Sequence, residues 1–356
     1  MRLGVLALAV LSVVSCLNVV ALASAQTYPV RPITMIIPFP AGGNADPVGR
    51  ILAERMRVSL GQPVVIENIP GANGSIGTGR VARASPDGYT LGLGFWNTLV
   101  ANGAIYTLPY NVLTDFEPVA LLITTPLVIV AKKAMLVNDL KELIAWLKAN
   151  PGDAAQGSVG VGSQGHLAGI LFQRATGTRF QHVPYRGSAP AMQDLLAGQI
   201  DILIDAPVTS LPQMRAGRIK VLAVFASRRL TSAPDIPTVD EAGLSGVYLQ
   251  NWTAFLVPTR TPKQIVARLN AAAVDALAQP AVRQRLTDLG VEIAPRDQQT
   301  PDALADQPLA YVYGRDVHMA HQAKSLAWMR RAASQPASRG CPELMATRSS
   351  ASAADG

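Results

Sequence analysis

Short apolar runs alternate with helix-like stretches along most of this 356-residue chain, and few architectures accept that order. The runs at Ile33 to Ile37, Val64 to Glu67, Thr90 to Leu93, Leu127 to Ala131, Val159 or just before it, His182 to Pro184, Ile202 to Asp205 and Val221 to Phe225 read as buried strands. Between them, residues 46–60, 138–149, 166–176 and 189–197 read as helices; Asn138 is placed to cap the second and Gly152 follows its end. The alternation predicts α/β layers with mainly parallel sheets. Two apolar segments, Pro126 to Ala131 and Lys220 to Ala226, bracket the middle of the chain and are the candidate crossings between two lobes. Further on, the proline-rich stretch 233–238 predicts a surface connection before a helix near Asp240. Thr261 and Pro262 read as the cap and first residue of a long amphipathic helix.

Two glycine loops of matched design stand at strand-to-helix joints: Pro38-Phe39-Pro40-Ala41-Gly42-Gly43-Asn44-Ala45-Asp46 and Gly160-Val161-Gly162-Ser163-Gln164-Gly165-His166. At a helix start the first N–H groups lack internal partners and the macrodipole is positive, so each loop can hold a carboxylate or phosphate without a charged side chain. Two such loops facing each other could grip a dicarboxylate.

The N-terminal sequence predicts export. Arg2, the apolar stretch from Leu3 onward and Ala23-Ser24-Ala25 read as a signal peptide over 1–25; Cys16 in Val13-Val14-Ser15-Cys16 offers a lipid-anchored alternative, but the apolar run continues past it to an intact Ala-x-Ala site. No later segment has the roughly 20 apolar residues of a spanning helix. The other cysteine, Cys341, lies in the tail, so the body has no disulfide and depends on packing. Net charge is +7; losing Arg2 and the six basic and four acidic residues beyond Asp302 leaves about +4, with no basic run. That excludes a nucleic-acid face and suits small organic anions.

Other chemistry finds little support. Gly160-x-Gly162-x-x-Gly165 matches the dinucleotide fingerprint formally, yet the first carboxylate after Gly165 is Asp194, too far on to hold a ribose. Ser163 and Ser75 both lack the first glycine of the nucleophile elbow, and His166 and His182 have no evident orienting acid. Metal-ligand spacings are missing from the sequence, and no cofactor is implied. Asp46 reads as a brace for its helix start. Asp205, at the carboxyl end of a strand, is either a site wall or a loop brace. Tyr185 either offers its hydroxyl to the cleft or packs within a lobe, and Trp96 and Asn97 could line the cleft from the first lobe.

Taken in order, Pro38-Phe39-Pro40-Ala41-Gly42-Gly43-x-x-Asp46, Leu60-Gly61-Gln62-Pro63 through Asn68, Pro70-Gly71-Ala72, Pro86-Asp87-Gly88-Tyr89-Thr90, Gly160-Val161-Gly162-Ser163-x-x-His166, Val183-Pro184-Tyr185-Arg186-Gly187 and Pro237-Thr238 resemble the substrate-binding proteins of tripartite tricarboxylate transporters, the Bug family. The likeness spans about residues 27–300. It implies a two-lobe periplasmic-binding-protein fold of type II, with the cleft between lobes and two hinge crossings. Lobe 1 would comprise 26–125 and 227–302, and lobe 2 would comprise 126–226. Family likeness also implies that Ala41, Gly42, Gly43, Gly162 and Ser163 help hold a ligand carboxylate, with His166 behind them. The candidate ligand-binding set is Phe39, Ala41, Gly42, Gly43, Asn97, Gly162, Ser163, His166, Tyr185 and Asp205.

Three departures stand out: Trp96 and Asn97 replace small residues, Arg186 replaces a lysine, and 303–356 is an atypical Ser-, Ala- and Arg-rich tail in place of a closing helix. A shifted reading frame or an extension would explain that tail. The functional expectation is a non-enzymatic periplasmic monomer that captures a small carboxylate by lobe closure and docks on membrane transporter subunits. Two alternatives are a solute sensor serving a signalling partner and an exported hydrolase using Ser163.

Overall fold

The computed structural model describes residues 28–305. The expected leader with Cys16 lies outside the described residues, as does the tail beyond Ala305 with Cys341; only its first residues, within helix α9 (Pro301–Ala305), are described.

The first sheet grows around β1 (Ile33–Ile37), whose side chains are nearly all buried on both faces. Strands β2 (Val64–Asn68) and β3 (Thr90–Phe95) pair parallel to it. Helix α1 (Ala45–Leu60) connects β1 to β2 and ends at Gly61, whose φ of 71° lets its N–H turn back to the Arg57 carbonyl. Helix α2 (Ser75–Ala82) leads into β3. Two long strands complete this sheet: β4 (Phe116–Pro126) and β10 (Gln250–Pro258), antiparallel to each other, with β10 also antiparallel to β3. The two-residue β11 (Glu292–Ile293) forms the edge beside β4. Helices α7 (Lys263–Ala278) and α8 (Pro280–Asp288) join α1 over a core that includes Ile33, Met35, Leu52, Met56, Phe255 and Leu269.

The second sheet runs β7-β6-β8-β5-β9. Its strands are β5 (Val128–Lys132), β6 (Ala155–Ser158), β7 (Gln181–Pro184), β8 (Ile202–Asp205) and β9 (Ile219–Val224). Helices α3 (Leu140–Ala149), α4 (Gln164–Thr176), α5 (Ser188–Ala197) and α6 (Pro207–Arg215) connect them. Together the two sheets form the two-lobe α/β fold that the sequence predicts.

Several expectations need correction. Both sheets are mixed, because β5 runs antiparallel to β8 and β9, and β10 runs antiparallel to β3. Strands β4, β10 and β11 were not among the expected strands. Helix α3 is capped by Asp139, which accepts from the Glu142 N–H at 2.8 Å, whereas Asn138 donates its own N–H to the Glu142 carboxylate and turns its side-chain oxygen to Lys220. No helix forms at Asp240. Thr238 and Glu241 trade side-chain-to-backbone bonds at 2.8 and 3.2 Å around a turn that Gly243 ends in left-handed geometry. At α7 the cap position is Pro262; Thr261 instead turns its hydroxyl back to the Pro258 carbonyl.

The second crossing also moves. Lys220 to Ala226 is mostly β9, the edge of the second sheet, and the chain beyond it stays with that lobe: Leu230, Ala233 and Ile236 pack on Val128, Leu211 and Val224. The chain returns to the first sheet at Leu249–Gln250. There Phe225 N–H bonds the Leu127 carbonyl at 2.8 Å, Leu127 N–H bonds Leu249 at 3.0 Å and Leu249 N–H bonds Phe225 at 2.9 Å. This three-way tie joins the outgoing β4–β5 crossing to the incoming one.

Candidate functional site

A cavity of about 60 Å³ lies between the lobes. Phe39, Gly43, Asn44, Ala45, Phe95 and Asn97 line it from the first lobe, Leu127 and Asn251 from the hinge strands, and Val159, Ser163, Gln164, Gly165, Ser188, Asp205 and Ala206 from the second. Four helices begin at this wall: α1 just after Asn44, α4 just after Ser163, α5 at Ser188 and α6 just after Ala206. Their positive dipole ends therefore converge on one small space, although some first-turn N–H groups are already capped there, His166 by the Ser163 hydroxyl and Thr209 by Asn44. No lysine, arginine or histidine is among the lining residues, and Asp205 is the only titratable one. A larger groove, about 680 Å³, lies between the β11 edge and the Arg228–Ser232 loop. Helix starts do not converge there, so the smaller cavity is the candidate site.

Asn44 ties the lobes together across this cavity. Although it stands at the cap position of α1, its side chain does not cap that helix. Its Nδ2 reaches the Ser188 hydroxyl at 2.6 Å and Asp205 Oδ1 at 2.7 Å, and its Oδ1 accepts from the Thr209 N–H at 3.1 Å. An asparagine from the first lobe thus caps α6 of the second. Nearby, Gly187 packs against Pro40, and Gln164 Nε2 bonds the Gln250 carbonyl at 2.8 Å.

Asp205 is buried at the end of β8, and burial pushes its carboxyl up to about 6 even though the Ser188 hydroxyl, the Ala206 N–H and the Asn44 amide favour the charged form. Its Oδ2 has no hydrogen-bond partner. Asp46 behaves differently. Burial alone would raise it, but Arg50 at 2.9 Å, the Gly42 N–H at 3.0 Å and Asn68 at 3.1 Å hold it below the usual carboxylate range. It braces the first glycine loop, as expected from its place at the helix start.

Of the ten candidate residues, Phe39, Gly43, Asn97, Ser163 and Asp205 line the cavity and five do not. Ala41 and Gly42 are exposed on the outer limb of the loop, where the Gly42 N–H is already spent on Asp46. Gly162 and His166 brace each other, the Gly162 N–H donating to His166 Nδ1 at 3.1 Å. The His166 ring stacks on His182 with centroids 4.0 Å apart. Tyr185 donates its hydroxyl to Asp194 at 2.6 Å and packs within the second lobe, so it offers nothing to the cavity. Trp96 joins the hydrophobic core that spans the hinge.

Ten further residues complete the wall, among them Asn44, Phe95, Gln164, Ser188, Ala206 and Asn251, none of them in the candidate set. Asn44 and Gln164 sit inside the quoted glycine loops, so their positions were visible and their reach across the cleft was not. Asn251 lies on β10, whose strand was itself missed.

The geometry gives a hydrolytic reading no footing. Ser163 is buried and its hydroxyl accepts from the His166 N–H at 3.3 Å as the cap of α4, with no imidazole bonded to it. The serine–imidazole contact present among the described residues is Ser158 with His182 at 2.7 Å, deep behind the loop. Burial and the neighbouring His166 depress His182 to about 4, and no carboxylate holds its ring. Among the described residues, no group of three or more His, Cys, Asp or Glu could hold a metal ion, and no helix is long and apolar enough to cross a membrane.

Comparison with known proteins gives a consistent result. The family described as "Tripartite tricarboxylate transporter family receptor" matches residues 48–311. Protein BugT of Bordetella pertussis (strain Tohama I) is 39% identical over 293 residues, which cover 82% of this chain and 90% of BugT. The solved periplasmic binding protein BugD superposes with a TM-score of 0.74 at 38% identity, covering 78% of this chain and 92% of BugD. MatC from Rhodopseudomonas palustris, solved with bound malate, gives 0.73 at 39% identity over 78% of this chain and 95% of MatC.

Proposed function

The chain belongs to the tripartite tricarboxylate transporter receptor family, and from that premise we propose that its inter-lobe cavity captures a small organic carboxylate in the periplasm for delivery to membrane transporter subunits. The observation that carries this reading is the convergence of four helix starts on a cavity without a cationic side chain. A carboxylate there would be held by backbone N–H groups around Asn44 and Ala45, Gln164 and Gly165, and Ser188, and by the second amide hydrogen of Gln164, whose first goes to the Gln250 carbonyl. Such donors are fixed by the fold and need no ordering when the ligand arrives. Positive dipole ends distribute favourable potential over an anion.

Capture follows from geometry as well as charge. The donors come from both lobes, so a ligand meets all of them only when the lobes are together, and binding selects that arrangement. At about 60 Å³ the cavity has room for a few waters, so a dicarboxylate can enter only when the lobes separate. This is binding chemistry, with no step that makes or breaks a bond. The bound malate of MatC supports an organic acid of similar size as the ligand here. Export by cleavage after Ala25 and a monomeric state complete the proposal.

A thermal-shift screen against mono-, di- and tricarboxylates tests it. A true ligand at about 100 times its dissociation constant should add roughly 2.7 kcal/mol of stability. A folded protein whose melting temperature responds to no carboxylate would overturn the reading.

A further inference from the structure

An anion cavity whose sole titratable wall residue is an acid poses a question of charge. Asp205 is 6% exposed, and only one of its oxygens is engaged across the cleft, Oδ1 by Asn44 at 2.7 Å. Oδ2 has no hydrogen-bond partner. Among the cavity-lining residues one other buried side-chain oxygen shares that condition, Asn251 Oδ1 on the hinge strand β10. Against the helix starts of the wall, these two oxygens stand apart as buried acceptors without a donor.

We infer that Asp205 is a specificity-determining residue whose unpartnered oxygen selects carboxylates bearing a hydroxyl or ammonium donor over unsubstituted diacids. The inference rests on the carboxylate-capture reading of the same cavity. A buried acceptor left unpaired costs free energy, more so when charged, and a ligand O–H or N–H removes that cost while a methylene in the same place does not. A site built to hydrogen-bond a substrate group discriminates strongly against the analogue lacking it. Asp205 also sits where a carboxylate of the ligand would be repelled, so it orients the ligand, turning the acid groups toward the helix starts and the donor toward β8. Asn44, by occupying Oδ1, fixes which oxygen is left for the ligand.

Matched series of ligands provide the test: succinate, malate and aspartate, then glutarate, 2-hydroxyglutarate and glutamate, titrated calorimetrically at pH 7.5 into the purified full chain and into Asp205→Asn. In whichever series binds, the hydroxy or amino acid should bind about tenfold or more tightly than its unsubstituted parent. Asp205→Asn should shrink that ratio to about threefold or less. Equal affinities within a series for the natural protein overturn the inference whether or not the variant folds, and so does a ratio that survives in a folded Asp205→Asn. If neither series binds, this inference fails; if no mono-, di- or tricarboxylate binds at all, the capture reading fails with it.

Discussion

Asp205 has a measurable consequence even without ligand. Burial holds its folded-state pKa near 6, above the ordinary carboxylate value, so between those two values the folded protein binds the proton more tightly than the unfolded chain. Its contribution to stability is therefore fully present below about pH 4 and is lost as pH rises through about 6. Asp205→Asn keeps an acceptor for Asn44 and removes the buried charge. Relative to the natural protein, the variant should melt about 3 °C or more higher at pH 7.5, with little or no gain at pH 4. An equal gain at both pH values would place the cause outside the charge. Gly43 makes a second residue-scale case. Its added Cβ would lie 3.3 Å from the Pro40 carbonyl and 3.9 Å from the N–H groups of Ser188 and Ala189 across the cleft. A β-branched side chain wedges that approach, so Gly43→Val should weaken carboxylate binding by roughly tenfold or more while the ligand-free melting temperature moves little. Unchanged affinity in titration calorimetry would remove the first loop from the site. Gly43 was legible from sequence, and Ala41 and Gly42 equally so. What separates them is which side of the turn faces the second lobe, a matter of three-dimensional course that loop composition does not carry.

Elements show the same division between local and tertiary signals. Strands β1, β8 and α1, α4 and α5 lie within a few residues of their expected places, because each is a short buried run or a periodic stretch bounded by glycine. By contrast β4 and β10 carry Pro118 and Pro258, are buried on both faces for most of their length, and shift register between Thr253 and Ala254 and again between Phe255 and Leu256. Without a period-2 alternation, a bulged central strand looks like loop and core residues mixed. The Gly160-x-Gly162-x-x-Gly165 pattern finds its reason at this scale too. At Gly165 a Cβ would stand 2.1 Å from the Ile204 carbonyl, so the third glycine lets α4 lie close on β8, and no nucleotide is required. Because the obstacle is backbone, Gly165→Ala should cost about 2 kcal/mol or more in denaturant unfolding. A cost under about 0.5 kcal/mol would mean α4 can slide away from the sheet. Asp139→Ala offers a milder comparison, about 1 kcal/mol for losing the cap of α3.

At the scale of the whole molecule, the lobes are joined at the hinge tie of Leu127, Phe225 and Leu249 and again across the cavity by Asn44. The hinge tie lies where both crossings meet. The Asn44 contacts exist only when the lobes are together: Ser188, Asp205 and Thr209 all belong to the second lobe. They set how far the ligand-free protein favours closure. Losing bonds worth about 1 kcal/mol each, two or three of them, would raise the open-to-closed ratio by roughly 30- to 150-fold. Since apparent affinity scales with the fraction able to bind, Asn44→Ala should weaken every ligand by one common factor, no larger than that change in ratio, and leave the ranking of hydroxy, amino and unsubstituted acids as it was. Asp205→Asn should do the reverse, changing the ranking. Small-angle scattering gives the independent check: the ligand-free Asn44→Ala variant should have a larger radius of gyration than the natural protein, and saturating ligand should bring the two together. If the variant scatters like the natural protein without ligand, Asn44 does not govern closure, and the shape of the cavity must be held by the hinge alone.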